Sequence, residues 1–528
     1  MEQRIDSVTI VGGGAAGWLM ALSLVTMLNR GESKVKVTLI ESPNIPTIGV
    51  GEGTVTGFSR VLKQLGIKED EFIRESDATF KCAGKFVGWN VDAEGKPITF
   101  YNPFNVGPYL NGVETSYHYH KYGPQAGAKS FVDNILPTQQ MVENAQGPKL
   151  IGSKDYESLL PYTYHLHAHA FSKQMADIAR KRGVEHILDD YLDAEQDDNG
   201  FITALNLKEK GRVPVKFVID CTGFGGLILQ KVLKEPFTDF SNHLLCDRAI
   251  PMPHAHEDEK RIIPCTTATA KTAGWMFDVP LFSRMGTGYV YSSRHISDDE
   301  ARDELIKHIG DESLRDVNTP VIKMRVGRVR NTWVKNCIAT GLSAGFVEPL
   351  EASAIYTIEL TARMLVTYFP EKGVTDNIVN RFNDVMNRMY NEILAFIVMT
   401  YRTSNRPEPF WVDARDGIDI PDKLQENLEL WKEFMPSPYD VEGKFLFNHW
   451  NYIYVLLGKR YFEGHEFAPE KFVSQNDWQK LSQQVAQMKQ QMVGKLPDHY
   501  QLLQAIRTGQ MPPPAKPAKP TFSGGFKF

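Results

Sequence analysis

Cysteine is scarce in this 528-residue chain: Cys82, Cys221, Cys246, Cys265 and Cys337 are dispersed, with no CxxC pair among them. An odd, scattered set excludes a disulfide framework, a redox dithiol and a cysteine-built metal centre, and points to free thiols in a reducing compartment. Long hydrophobic runs are missing as well. No stretch approaches the roughly 18 to 20 apolar residues of a membrane span, and the opening Met1-Glu2-Gln3-Arg4 has no apolar signal core. The expectation is a cytoplasmic protein with no membrane contact and no metal. Basic runs are absent too: 59 Lys and Arg stand against 64 Asp and Glu, a net charge of −5, which leaves no electrostatic footprint for nucleic acid. Nor is there a repeat with a period of about 20 to 50 residues, which excludes a solenoid.

The chain is longer than one compact core usually holds, about 100 to 200 residues. From Asp6 it runs apolar through Val8, Ile10 and Val11, breaks into three glycines, and turns helical from Ala15 to about Asn29. Val35–Glu41 then forms a second strand, so the start is a βαβ unit with a parallel sheet. Short β-rich runs follow, among them Ala78–Trp89 and Gly288–Ser293. Beyond about Ser353 the periodicity becomes helical over Ile355–Phe369, Val379–Tyr401, Lys423–Phe434 and Asn448–Leu457. The expected fold is α/β: a dinucleotide-binding lobe at 1–370 carrying inserted β-sheet segments, a mainly helical lobe at 371–510 covering the substrate, and a Pro-rich tail at 511–528. For that tail two readings stand: a flexible end, or docking of Phe522, Phe526 and Phe528 on the body or on another protomer of a homo-oligomer.

Gly12-Gly13-Gly14-Ala15-Ala16-Gly17 fits GxGxxG between a strand and a helix. In that motif Gly12 makes the turn, Gly14 lets the backbone approach a pyrophosphate, and Gly17 lets the helix pack on the strand. Glu41, 24 positions past Gly17 at the end of the second strand, suits the ribose hydroxyls of an adenosine. Val218–Gly223 and Asn336–Gly341 are apolar strands ending in small-residue turns, as FAD-binding two-domain enzymes require, and they add Asp220 and Gly341 to the expected cofactor contacts. With no second GxGxxG, reduced flavin or electrons must come from a separate NAD(P)H-dependent flavin reductase.

Several further segments carry a resemblance. They are Val11–Trp18, Leu39–Glu52, Phe80–Phe86, Tyr164-His165, Gly274–Leu281 with Arg284 and Gly288–Ser292, and above all Gly341–Glu351. Together the chain resembles the flavin-dependent halogenases of the tryptophan halogenase group, over ~460 of its 528 residues. The aromatic-hydroxylase-like FAD lobe is part of what the resemblance implies, with Gly51 and Leu350 joining the cofactor contacts. The family's WxWxIP element stands here as Trp275-Met276-Phe277-Asp278-Val279-Pro280; it is taken to screen the flavin from the aromatic substrate, and Phe277 still supplies a bulky apolar wall.

The resemblance implies that FADH2 reacts with O2 to give a flavin hydroperoxide, that halide attacks it, and that hypohalous acid travels to an aromatic substrate. Lys81 matches the lysine that receives the hypohalous acid, and Glu351 the glutamate that polarises the halogen species or takes the arenium proton. The family binds halide through backbone amides at the positions of Ser353 and Ala354, where a helix N-terminus favours an anion. Here Glu351-Ala352-Ser353-Ala354 replaces Glu-Ser-Thr-Gly, so the preference among chloride, bromide and iodide is open. Lys81 and Lys85 sit four apart and share a face in a regular strand, unless Gly84 forms a bulge.

Tryptophan-selective members carry His-Pro-Phe where this chain has Asn102-Pro103-Phe104. Trp450, Tyr452 and Tyr454 offer stacking surfaces at a spacing that core packing also produces. No clamp for the amino and carboxylate groups of free tryptophan is evident, and an indole or phenol is expected as substrate. Two other readings compete: an aromatic hydroxylase of the same fold, favoured by Phe277 and opposed by the Lys81–Glu351 pair, and a redox-silent flavoprotein of assembly.

Overall fold

The apolar residues at Val8, Ile10 and Val11 form the strand Ser7–Val11, and burying it on both faces requires parallel neighbours. The computed structural model describes residues 4–510 except 33, 46–50, 125–126, 442 and 444. The tail at 511–528 lies outside the described residues, as does the 46–50 part of the Leu39–Glu52 segment. Among the described residues, the first sheet runs in the order Glu185–Leu188, Lys36–Glu41, Ser7–Val11, Val218–Asp220, Cys337–Ala339, Trp333–Val334. All neighbours are parallel except the last pair.

The helix Ala15–Leu28 follows the glycine turn. It is buried without interruption from Gly17 to Val25 because it is packed between the helices Ala168–Lys181 and Ala354–Thr367 as well as on the sheet. That explains why it reads as apolar all round rather than as an amphipathic stripe.

A second sheet orders Ile322–Lys323, Arg248–Pro251, Met285–Tyr291, Gly274–Pro280, Cys265–Lys271, Ala83–Val91 and Pro97–Pro103. Its neighbours are antiparallel apart from Cys265–Lys271 beside Ala83–Val91. A third, small sheet pairs Thr163–His167 with both Gly51–Gly53 and Thr79–Lys81.

The β-rich run Ala78–Trp89 is therefore two strands in two sheets, and the chain changes sheet at Cys82, whose N–H donates to Pro264 O at 2.7 Å. This switch separates Lys81, 4% exposed, from the partly exposed Lys85. A bulge at Gly84 is not what parts them: Gly84 pairs in register with Asn102, and the register irregularity lies between Val87 and Val91.

The helical periodicity becomes Ala354–Thr367, Asp376–Arg402, Asp422–Leu430 and His449–Gly458, with Gln475–Val493 and His499–Thr508 beyond. These helices share one hydrophobic core with the sheets, from Trp18, Phe80 and Trp275 to Phe396, Trp450 and Leu502. Among the described residues no helix is long and apolar enough to cross a membrane.

Two buried polar contacts hold the strand that ends in Lys81. His499 accepts from the Phe80 N–H at 3.2 Å through Nε2 and donates to Ile262 O at 2.9 Å through Nδ1. Burial keeps this ring neutral, lowering its pKa to about 4. Behind the neighbouring strand, Glu69 of the helix Glu69–Glu75 accepts from Lys149 Nζ at 2.6 Å, from the Tyr164 hydroxyl at 2.6 Å and from the Tyr162 hydroxyl. The Glu69 and Lys149 side chains are only 2% and 3% exposed. Removing one partner of a buried pair strands the other charge, at about 3–5 kcal/mol. Lys149→Met should therefore lower stability by about that amount in denaturant unfolding, and Lys149→Met with Glu69→Gln, which removes the charge but keeps an oxygen for the tyrosine hydroxyls, should recover part of it.

Candidate active site

Each glycine of the first turn meets a specific neighbour. A Cβ on Gly17 would lie 1.9 Å from Gly12 O, and one on Gly12, whose φ is +119°, would lie 2.2 Å from Cys221 O. A Cβ on Gly14 would meet nothing within 4 Å, so this is the open side where a ligand's backbone can approach. The helix behind it starts on Gly14 with no capping side chain and no acidic residue in its first turn. Its free amides and positive dipole end face a cavity of about 490 Å³. The cavity runs from Glu41 and Ser42, past Gly12–Ala16 and Gly341, to Trp275, Phe277 and Lys81. Its volume and its amide-lined wall at Gly12–Ala16 fit a dinucleotide.

At the outer end Glu41 lines the cavity and accepts from His186 Nε2 at 2.9 Å. Asp220 has a different placement. It is fully buried, and its carboxylate accepts from the Thr222 N–H (3.0 Å), the Thr222 hydroxyl (2.6 Å), the Ile228 N–H (3.0 Å) and the Leu229 N–H (2.8 Å). It organises the loop whose Cys221, Thr222 and Gly223 line the cavity. Gly341, with φ +63°, packs where a Cβ would lie 2.8 Å from Ala16 Cβ, and Gly51 where a Cβ would lie 3.2 Å from Val279.

Alternation along Gly274–Pro280 turns Trp275, Phe277 and Val279 to the cavity. Pro280 does not line it; its carbonyl accepts the Thr79 hydroxyl at 2.6 Å. Trp275 is held from behind by Glu348, which accepts its indole N–H at 3.3 Å and the Tyr401 hydroxyl at 2.6 Å. Burial pushes the Glu348 carboxyl up to about 7, against those two hydrogen bonds.

Opposite this wall, Pro349–Glu351 makes one 3₁₀ turn, Ala352 takes a left-handed φ of +55°, and the helix Ala354–Thr367 begins after Ser353. Among the described residues the amides of Ser353 and Ala354 have no acceptor, and both residues line the cavity with Leu350.

Lys81 lines the cavity, and Glu351, which does not line it, lies near enough for each charge to act on the other. Lys81 Nζ has no hydrogen-bond partner among the described residues and lies 5.7 Å from the Phe104 ring centroid. Burial lowers its pKa, while the neighbouring Glu351 opposes that shift. Glu351 keeps some surface, yet burial still pushes its carboxyl up to about 7, against the pull of Lys81 and of a 3.0 Å hydrogen bond from Asn102 Nδ2. Asn102 is held in turn by Asn451 Nδ2, 3.0 Å from its Oδ1. Two groups with opposite shifts, one able to donate and one able to accept a proton, form an acid–base pair.

The aromatic positions of the last lobe sit elsewhere. Trp450 is fully buried, stacked on Phe131 at 6.5 Å and on the backbone of Gly107, where a Cβ would strike its ring. Tyr452 packs in the core against Phe396 and Trp431, and the Tyr454 hydroxyl donates to Asn105 O. Sequence reasoning gave no role to Asn451, Glu348, Gly53, Thr266 or His165. Only Glu348, Gly53 and His165 lie inside or beside segments that stood out as motifs.

Comparison with known proteins agrees across sequence and structure. A family model described as tryptophan halogenase matches residues 7–469. Tryptophan 6-halogenase ThaL of Streptomyces albogriseolus is 34% identical over 466 residues, 85% of this chain and 86% of that protein. A tryptophan halogenase from Shewanella frigidimarina superposes with a TM-score of 0.89 at 32% identity, over 97% of this chain and 99% of the other. Tar14, a tryptophan C-6 flavin-dependent halogenase (chlorinase) from taromycin biosynthesis, superposes with a TM-score of 0.88 at 31% identity, over 95% and 100%.

The glycine turn makes its own prediction. Gly17→Ala forces a Cβ onto Gly12 O, and overpacking of about 1–3 kcal/mol, if expressed at the binding turn, corresponds to ~5- to 150-fold weaker FAD binding. Flavin fluorescence titration measures it, and an unchanged affinity would contradict the role of this contact.

Proposed function

The chain belongs to the tryptophan halogenase family, flavin-dependent enzymes that halogenate an aromatic compound, and from that premise we propose how its own site works and on what. The proposed reaction is FADH2 + O2 + halide + H⁺ + ArH → FAD + ArX + 2 H2O, with chloride, bromide or iodide. Reduced flavin is delivered by a separate NAD(P)H-dependent reductase. Bound FAD would lie along Gly12–Ala16, with Glu41 toward its ribose, and with dioxygen and halide it supplies hypohalous acid. The unpaired amides of Ser353 and Ala354 hold the halide at the positive end of the helix Ala354–Thr367.

The observation that carries the reading is the buried Lys81 lining the flavin cavity, with the Glu351 carboxyl, hydrogen-bonded by Asn102, as its charged neighbour. Lys81 binds and orients hypohalous acid. Glu351 takes the ring proton as the C–X bond forms, so HOX + ArH gives ArX + H2O. Asn102 fixes the Glu351 carboxyl without adding a titrating group to the substrate side. The substrate proposed is an indole or phenol other than free tryptophan, bounded by Phe104 and Asn102. Trp450 is left out of that wall, since it is fully buried in core packing against Phe131 and Gly107.

The test supplies the protein with FAD, NADH, a flavin reductase, one halide at a time and an indole and phenol panel, with mass spectrometry of products. Organohalogen is expected; hydroxylated products without halogen would establish the hydroxylase instead. Lys81→Ala and Glu351→Gln should each lower halogenation by ~10²- to 10⁴-fold, the usual worth of a positioned acid or base, with flavin affinity retained.

A pH profile checks the base. With the Glu351 carboxyl pushed up to about 7, the group is protonated below that pH and ionised above it. The single-turnover rate should therefore climb as pH rises through about 7. A flat profile between pH ~6 and ~8 would remove Glu351 from the base role.

A further inference from the structure

Gly53 keeps the cavity side of Lys81 clear of a side chain, and even a methyl there would be crowded. Its φ is outside the left-handed region, so the conformation does not demand glycine. A Cβ there would lie 3.2 Å from Lys81 Nζ, 3.6 Å from Thr266 Oγ1 and 3.0 Å from Ala352 Cβ. An amine, a hydroxyl and a methyl thus border one small niche that opens to the flavin cavity, since Gly53, Lys81, Thr266 and Ala352 all line it.

The direction of the Thr266 hydroxyl follows from the groups behind it. Thr79 Oγ1 lies 2.6 Å from Pro280 O, and a carbonyl only accepts, so the Thr79 proton is committed there. His165 Nδ1, 3.0 Å from the same Thr79 oxygen, must then be the donor. His165 is fully buried, and burial together with the nearby Lys81 and His499 keeps its pKa well below the ordinary value. The neutral ring carries its one proton on Nδ1, so Nε2 accepts from the Thr266 hydroxyl at 2.9 Å. Thr266 therefore presents only oxygen lone pairs to the niche, facing Lys81 as donor across it.

We infer that the niche between Lys81, Gly53 and Thr266 binds undissociated hypohalous acid, a deepening that rests on the halogenase reading above. Lys81 donates to the oxygen of H–O–X, the acid's own proton goes to Thr266 Oγ1, and the halogen is left with neither polar partner. Hypohalite anion lacks the donor that Thr266 requires, so the niche selects the neutral acid, whose hydroxide departs as water with the proton Lys81 donates when an arene attacks X. Thr266 touches the reacting molecule. His165 is a positioning residue that acts through the Thr266 hydroxyl.

The test uses the full-length enzyme with FAD, reductase, NADH, bromide and an indole. It reads three quantities: flavin affinity by fluorescence, brominated product per NADH consumed, and oxidant escaping to a thiol trap in bulk solution. Thr266→Val, which keeps shape and removes the acceptor, should leave flavin affinity unchanged, lower product per NADH about 10-fold, and raise trapped oxidant correspondingly, as the loss of one hydrogen bond implies. Thr266→Ser should restore the parent values. His165→Asn, which keeps a donor toward Thr79 but is too short to reach Thr266, should show the same redistribution. Gly53→Ala should fill the niche and suppress product further. Parent-like coupling in Thr266→Val, or a parent-like rate in Gly53→Ala, overturns the niche while leaving the halogenase reading intact. A parent enzyme yielding no organohalogen overturns both.

Discussion

Lys81 brings an amine into a place where water cannot solvate its charged form, and the surrounding chain is arranged around that fact. Its side chain has a carboxyl neighbour, Glu351, but no hydrogen bond from that neighbour or from any other described group. Burial therefore pushes the two groups toward each other on the pH scale, the amine down and the carboxyl up to about 7. The two shifts narrow the gap between an amine that donates and a carboxyl that accepts, and each group acts on the other's charge.

The fold reaches this arrangement by ending three elements at one point. The strand Thr79–Lys81 stops because Cys82 pairs with Pro264 in another sheet. The strand Gly51–Gly53 contributes a residue with no side chain. The turn Pro349–Glu351 is separated from the following helix by Ala352 in the left-handed region, a conformation that costs a non-glycine residue about 1–3 kcal/mol. That strained residue lets Glu351 face Asn102 while the next two amides face the flavin cavity. The strain is held in place by packing on both sides, since Ala352 Cβ also closes the niche at Gly53.

Features governed by local periodicity or by a required backbone conformation were legible in the sequence. The helix Ala15–Leu28, the strand Lys36–Glu41 and the long helices after Ser353 fall within a few residues of where the apolar spacing puts them. Lys81 was identifiable only through its resemblance context, because strand alternation by itself gives it the same face as Lys85. The sheet switch that separates them depends on Pro264, 182 positions after Cys82. Asp220 ends a strand at a glycine-rich turn, the usual place for a ligand contact, yet amides eight and nine positions later consume its oxygens. Asn451 and His499 were invisible for the same reason: each meets its partner more than 340 positions away. Trp450 and Tyr452 show the limit of composition, since aromatic residues at helical spacing suit a core as well as a binding wall, and here both are buried.

A dinucleotide grip and an aromatic wall serve hydroxylation as readily as halogenation, so the substitution of Phe277 for the family's second tryptophan bears on which chemistry survives. The wall's rigidity does not depend on a second indole. Trp275 is fixed by its hydrogen bond to the buried Glu348, which Tyr401 holds in turn. Phe277 packs edge-on to Trp275 at 6.2 Å and is wedged over Gly288, where any Cβ would come within 2.5 Å of its ring. The ring is thus backed by Trp275 and Gly288 and open toward the cavity it lines. The aromatic wall of the cavity that Lys81 also lines is therefore set by a glycine and a buried carboxyl as much as by the aromatic residues themselves.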